Sequence, residues 1–148
     1  MQPYPHTYRT SLVADLQNPL TSSVEGLPPL QINAPVEFDG PGDCWSPESL
    51  LIASVAGCFA LTFRAVAQAS GLTWETLECE VQGVLDRNGG KPGFVSFGVQ
   101  ATLTLPEDGK EKQALRLLEK AEENCLISNS LNAAVELEAE VRIGSAAT

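Results

Sequence analysis

The stretch Ser46-Pro47-Glu48-Ser49-Leu50-Leu51-Ile52-Ala53-Ser54-Val55-Ala56-Gly57-Cys58-Phe59 decides how this chain is read. Ser46 is suited to cap a helix, because its hydroxyl can accept one of the orphan backbone N–H groups. Pro47 fits the first helical position, where no N–H is needed, and Glu48 complements the positive end of the helix dipole. Leu51, Ile52, Val55, Ala56, Phe59, Ala60, Phe63, Val66 and Ala67 then cover well over half the circumference. Such a helix, running to Ala69, is expected to be largely buried. Gly71 is its expected C′ residue. Inside it, Gly57 costs roughly 1 kcal/mol against alanine, so something is expected to come close to its neighbour Cys58.

On the N-terminal side, Phe38 to Trp45 is a Gly/Pro loop. Before it, His6 to Leu16 alternates, with Tyr8, Leu12, Ala14 and Leu16 on one face, which predicts a half-buried strand. A short second strand is expected between the turn signals Asn18-Pro19 and Gly26-Leu27-Pro28-Pro29. On the C-terminal side, Leu77 to Leu85 and Val95 to Leu105 alternate around Asn88-Gly89-Gly90, a hairpin signal. Pro106-Glu107-Asp108-Gly109 opens an amphipathic helix with Leu117, Leu118 and Ala121 inward, and Cys125 continues that stripe. Ser128-Asn129-Ser130 interrupts the chain, and Val135 to Ile143 closes it as a strand alternating with glutamates. The order predicts one α+β domain over 1–148: antiparallel sheets, a long buried central helix and a second amphipathic helix on one side.

Hydrophobic residues make up 43% and charged residues 19% of the 148, as in a globular domain. Nineteen acidic against nine basic side chains give −10, which argues against nucleic-acid or anionic-membrane partners. No run approaches the roughly 18–20 unbroken apolar residues of a spanning helix. Met-Gln-Pro-Tyr-Pro-His lacks a basic and apolar leader, so a cytoplasmic location is expected, with Cys44, Cys58, Cys79 and Cys125 as reduced thiols. The cysteines form no C-x-x-C pair, and His6 is the one histidine, so neither a zinc site nor a histidine-activated nucleophile is expected. No dinucleotide or phosphate-binding fingerprint occurs, and no cofactor is expected. Any buried cysteine can be a small hydrophobe; Cys79, inward on its strand, is read that way.

Two motifs sharpen this picture. The Ser46 to Phe59 segment resembles the central-helix signature of the OsmC/Ohr family (osmotically inducible protein C and organic hydroperoxide resistance protein). A proline–glutamate pair opens that helix, and a cysteine follows ten residues after the glutamate. Cys125-Leu126-Ile127-Ser128-Asn129-Ser130-Leu131 resembles the family's Cys-Pro-x-Ser-Asn-x-Leu, departing at Leu126, a change expected to loosen the turn after the helix. The resemblance covers essentially the whole chain. It implies an OsmC-like fold in an intertwined homodimer with active sites at the interface, and a peroxidase acting on organic hydroperoxides with a dithiol reductant. By position, Cys58 resembles the peroxidatic cysteine, Cys125 the resolving one, and Glu48 the acid that holds the family's active-site arginine.

The chemistry sets its own demands. A thiolate becomes a sulfenic acid on attacking a peroxide, a second thiol condenses with it, and a dithiol restores both. Leu51, Val55 and Phe59 are the expected contacts for an alkyl tail, each buried methylene contributing roughly 0.8 kcal/mol. An ordinary thiol is only a few per cent ionised at pH 7, so a local cation is expected beside Cys58. Arg64 lies about 240° around the helix and points elsewhere; Arg9, on the polar face of the first strand, is the candidate, or else an exposed strand arginine. Glu48 is either a site residue or a helix-dipole acid. On one straight helix it would lie roughly 15 Å from Cys58, so the two meet across a dimer interface or the helix begins later. Two other readings stay open: a non-catalytic dimer of this fold that binds a hydrophobic small molecule, and a purely structural protein whose thiols fill the core.

Overall fold

The computed structural model describes residues 1–144. The Ser46 cap forms as a reciprocal pair: the Ser49 N–H donates to Ser46 Oγ at 3.0 Å, and the Ser46 N–H donates to Ser49 Oγ at 2.9 Å. Two orphan donors are thereby satisfied, with serine in the place glutamate usually takes in such a box. At the far end, the Leu72 N–H reaches the Ala67 carbonyl and the Gly71 N–H the Gln68 carbonyl, with Gly71 at φ +68°. This is the Schellman arrangement.

The elements run β1 (Ser11–Val13), β2 (Leu20–Ser23), β3 (Leu30–Ile32), a single 3-10 turn (Val36–Phe38), α1 (Pro47–Ala69), β4 (Thr76–Asn88), β5 (Lys91–Leu105), α2 (Glu111–Glu123), α3 (Leu126–Asn129) and β6 (Ala134–Ile143). They form two compact units, one spanning Met1–Leu51 and one beginning at Ile52.

The first unit holds the antiparallel sheet β1-β2-β3. The strand expected from His6 to Leu16 shrinks to Ser11–Val13, and Tyr8, Leu12 and Leu16 are all exposed. Alternation records which side chains want cover, but the pairing with Thr21–Ser23 fixes how far the ladder runs. β3 was not foreseen in the Pro-rich stretch. It pairs with β2 and bridges through Ile32 to Trp45, which ties down the loop before α1.

The second unit holds the sheet β4-β5-β6. Gly89 and Gly90, both at positive φ, turn the β4–β5 hairpin as a two-residue loop. Contrary to the expected all-antiparallel pairing, β6 runs parallel to β5. The physical reason is the connection: α2 and α3 carry the chain back across the sheet, a crossover that parallel neighbours require. The core is built from Val55, Phe59, Phe63 and Ala67 of α1, Val99, Ala101, Leu103 and Leu105 of β5, and Ala114, Leu117, Leu118 and Ala121 of α2. Trp74 meets Phe63 edge-on at 5.4 Å. At Gly83 an added Cβ would run into Ile52 Cδ1 and press on Phe94 and Phe97 at 3.0 Å. The missing side chain is what lets Ile52 of α1 approach the strand.

α1 is less buried than its composition predicts. Only Val55, Phe59, Phe63 and Ala67, one stripe, are buried, while Ala53, Gly57 and Leu61 are exposed. Among the described residues no group lies within 4 Å of a Cβ built on Gly57, so nothing presses on the glycine itself. By length and composition α1 could cross a membrane, a property it shares with core helices; here its buried stripe packs on the sheet.

Candidate active site

Cys58 sits midway along α1, half-buried, one residue before the buried Phe59. Cys125 lies just beyond α2 and is fully buried, as the inward stripe of that helix predicts. It is also the N-cap residue of α3, whose first turn closes with the Asn129 N–H on the Cys125 carbonyl at 3.0 Å. The interruption expected at Ser128-Asn129-Ser130 is therefore a helical turn, and Leu126 does not loosen it. Asn129 Nδ2 donates to the Glu123 carbonyl at 3.1 Å and Ser130 Oγ to the Leu126 carbonyl at 2.8 Å, so the turn is fastened to the end of α2 and to itself.

This turn brings the two free thiols close enough for each to shift the acidity of the other. Their environments push them in opposite directions. Burial raises the Cys58 thiol, but the backbone N–H of Ile127, the Cys125 thiol, the Thr62 hydroxyl and the backbone N–H of Leu126 outweigh it. The balance holds Cys58 below the ordinary thiol value. Cys125 moves up: burial dominates, and the hydroxyl and N–H of Ser128 only partly offset that and the effect of Cys58. Within the pair, ionisation is favoured at Cys58 over Cys125.

Among the described residues, none of the groups that lower Cys58 is a cation. The donors are neutral and local. Leu126 and Ile127 open α3, where backbone N–H groups have no acceptor inside their own helix. Leu126 is also where the family motif carries proline, which has no N–H to give. Thr62, four residues after Cys58 on the same helix face, was missed in the sequence, though that spacing marks it. Its Oγ donates to the Cys58 carbonyl at 2.7 Å.

The other candidates lie as follows. Arg9 precedes β1, is exposed, and makes no ion pair among the described residues; Arg64 is exposed as well. Glu48 is in the first turn of α1, so the helix does not begin after it, and its Oε2 is buried without a hydrogen-bond partner among the described residues. Ten helical residues separate it from Cys58, roughly 15 Å along the axis. Val55 and Phe59 are fully buried and their side chains are taken up by the core, whereas Leu51 is half-buried. Leu126, whose backbone meets the Cys58 sulfur, is 68% exposed, and Leu61, three residues after Cys58, is exposed as well. Cys79 is half-buried on β4, and burial, with Cys125 nearby, raises its thiol. Cys44 is also raised, by burial and by Asp43, and makes a poor nucleophile. Among the described residues no three His, Cys, Asp or Glu side chains are grouped so as to hold a metal ion.

Residues 40–140 match the family described as OsmC-like protein. Over 118 residues the chain is 31% identical to the uncharacterised protein YmaD of Bacillus subtilis, covering 76% of this chain and 79% of that one. Among solved structures, an OsmC-like protein of unknown function from Vibrio cholerae superposes with a TM-score of 0.82 at 17% identity, over 91% of this chain and 99% of that one. An organic hydroperoxide resistance protein OsmC from Legionella pneumophila, described as a predicted redox protein, gives 0.71 at 26% identity, over 93% and 99%.

Proposed function

The chain belongs to the OsmC-like protein family, and from that premise we propose that it is a cysteine-based peroxidase that reduces organic hydroperoxides in the cytoplasm. The observation that carries the proposal is the meeting of two thiols, one favoured as thiolate and the other kept protonated. In the first step the Cys58 thiolate attacks the distal peroxide oxygen. The O–O bond breaks, Cys58 becomes a sulfenic acid by taking the distal OH, and the departing alkoxide leaves as the alcohol with a proton from water, equal to the one Cys58 gave up on ionising. In the second, the Cys125 sulfur attacks the sulfenic sulfur; the S–S bond forms, and hydroxide leaves as water with the Cys125 proton. A dithiol reductant then exchanges with the disulfide twice, leaving itself oxidised and both cysteines reduced.

The remaining assignments belong to the same proposal. The chain works as one domain in a homodimer, with no metal or cofactor and no nucleic-acid or membrane partner. Across the dimer interface Glu48 orients Arg9, which adds positive charge near Cys58; the buried, unpartnered Glu48 Oε2 supports this, because such an oxygen is costly unless paired. The alkyl tail of the substrate meets the face of α1 that carries Leu51, Val55 and Phe59. Purified protein with a dithiol should consume cumene hydroperoxide, and Cys58→Ser should lose that turnover. Turnover retained in Cys58→Ser would end the proposal.

One observation favours a second reading, a non-catalytic dimer that binds a hydrophobic small molecule: only neutral donors lower Cys58 within the chain. That reading requires a Cys58 thiol that stays slow toward alkylating reagents at pH 6–7.

A further inference from the structure

Thr62 lies one helical turn after Cys58 and belongs to none of the motifs by which the site was found. Its hydroxyl carries a single proton. In the reduced pair that proton is donated to the Cys58 carbonyl at 2.7 Å, the ordinary back-bond of a threonine in a helix. The two residues share one face of the helix, and the same hydroxyl favours the ionised form of the Cys58 sulfur. The carbonyl already has its helical acceptor role, so the back-bond is the one the backbone can lose. A sulfur that has lost its proton is the stronger acceptor, because hydrogen bonds to an ionised partner are roughly twice as strong as neutral ones.

We propose that Thr62 is a positioning residue for Cys58, whose hydroxyl leaves the Cys58 carbonyl and turns to the sulfur when the thiolate forms. The hydroxyl then serves two states of one residue. With the thiol protonated it fixes the turn of α1 that carries Cys58. With the thiolate formed it supplies a donor from the helix itself, opposite the N–H donors supplied by α3. Rotation of the O–H about the Cβ–Oγ bond makes the change, since a hydroxyl proton turns to suit its acceptor while the oxygen stays in place. The proposal deepens the peroxidase reading, yet it concerns the ionisation of Cys58 and can stand or fall without it.

The test uses the full-length protein with Thr62→Val, which keeps the shape and removes the hydroxyl, and Thr62→Ser, which keeps the hydroxyl. Alkylation of Cys58 by iodoacetamide is followed against pH by mass spectrometry of its peptide, and cumene hydroperoxide turnover is measured on the same samples. Thr62→Val should move the Cys58 midpoint to higher pH and slow its alkylation at pH 7 by roughly threefold or more, the loss of one bond to a charged acceptor less the back-bond given up. Thr62→Ser should restore the wild-type profile. An unchanged midpoint in a folded Thr62→Val protein would overturn the proposal and show that the hydroxyl serves the backbone alone, as would a shift that Thr62→Ser fails to reverse. If the wild type does not turn over peroxide while Thr62→Val still moves the midpoint, the peroxidase reading falls and this one stands.

Discussion

Cys58 and Cys125 stand thiol to thiol, the first held below the ordinary thiol range and the second raised above it. Two like groups whose environments drive their acidities apart are no longer equivalent, which is what the proposed division into nucleophile and resolving thiol requires. The division comes from depth and donors: Cys58 is half-exposed and faces backbone N–H groups, whereas Cys125 is fully buried.

The first expected outcome is an order of reactivity. With rising pH, Cys58 should alkylate first, and Cys125, Cys79 and Cys44 only at higher pH, because their thiols are raised. The same shift enters stability. Between the folded and unfolded Cys58 values the unfolded chain binds more protons, so this group's contribution grows with pH across that window. It is fully present above the unfolded thiol value, about 8.5, and is lost as pH falls through the lower folded value. Urea unfolding of the wild type and Cys58→Ser should therefore diverge on the alkaline side and converge on the acid side. A constant difference at all pH values would contradict the shift.

Leu126→Pro should slow Cys58 alkylation at pH 7 by roughly threefold to tenfold, the effect of removing one hydrogen bond to a partly exposed charge. Proline suits the first position of α3, where Leu126 stands, so the turn should persist. Leu126→Ala keeps the N–H and should match the wild type. Equal rates for the proline and alanine variants would remove the backbone donor from the account.

Gly83→Ala should destabilise the protein by about 1–3 kcal/mol, since the added Cβ meets Ile52 and two phenylalanine rings. Thermal or urea unfolding checks this. A neutral result would mean that α1 has more room over the sheet than the packing of Ile52 indicates.

Ser46→Ala should cost about 1 kcal/mol, because it removes the acceptor for the Ser49 N–H at the start of α1. Ser46→Asp, which retains an acceptor, should recover most of that loss in the same unfolding measurement.

Local rules account for much of what was legible in advance. The Ser46 cap, Pro47 at the helix start, the Gly71 stop and the Gly89-Gly90 hairpin all depend on a few neighbouring residues, and all occur as expected. The inward stripe of α2 and the burial of Cys125 follow from helical period alone. Expectations failed where distant chain segments decide. The length of β1 depends on what β2 offers as a partner, and the direction of β6 depends on the path that α2 and α3 take over the sheet.

The sequence by itself determined the two cysteines, the helix that carries the first, the helix that leads to the second and the family they belong to, because caps, periods and motif spacings are properties of short stretches. Only the tertiary structure decided what ionises Cys58. The expected cation is not among its neighbours within the chain. Its place is taken by the N–H groups of Leu126 and Ile127 and the hydroxyl of Thr62. A backbone donor has no letter in a sequence, since every residue but proline carries one. Which of them is free to meet a sulfur depends on where a distant turn of the chain comes to rest.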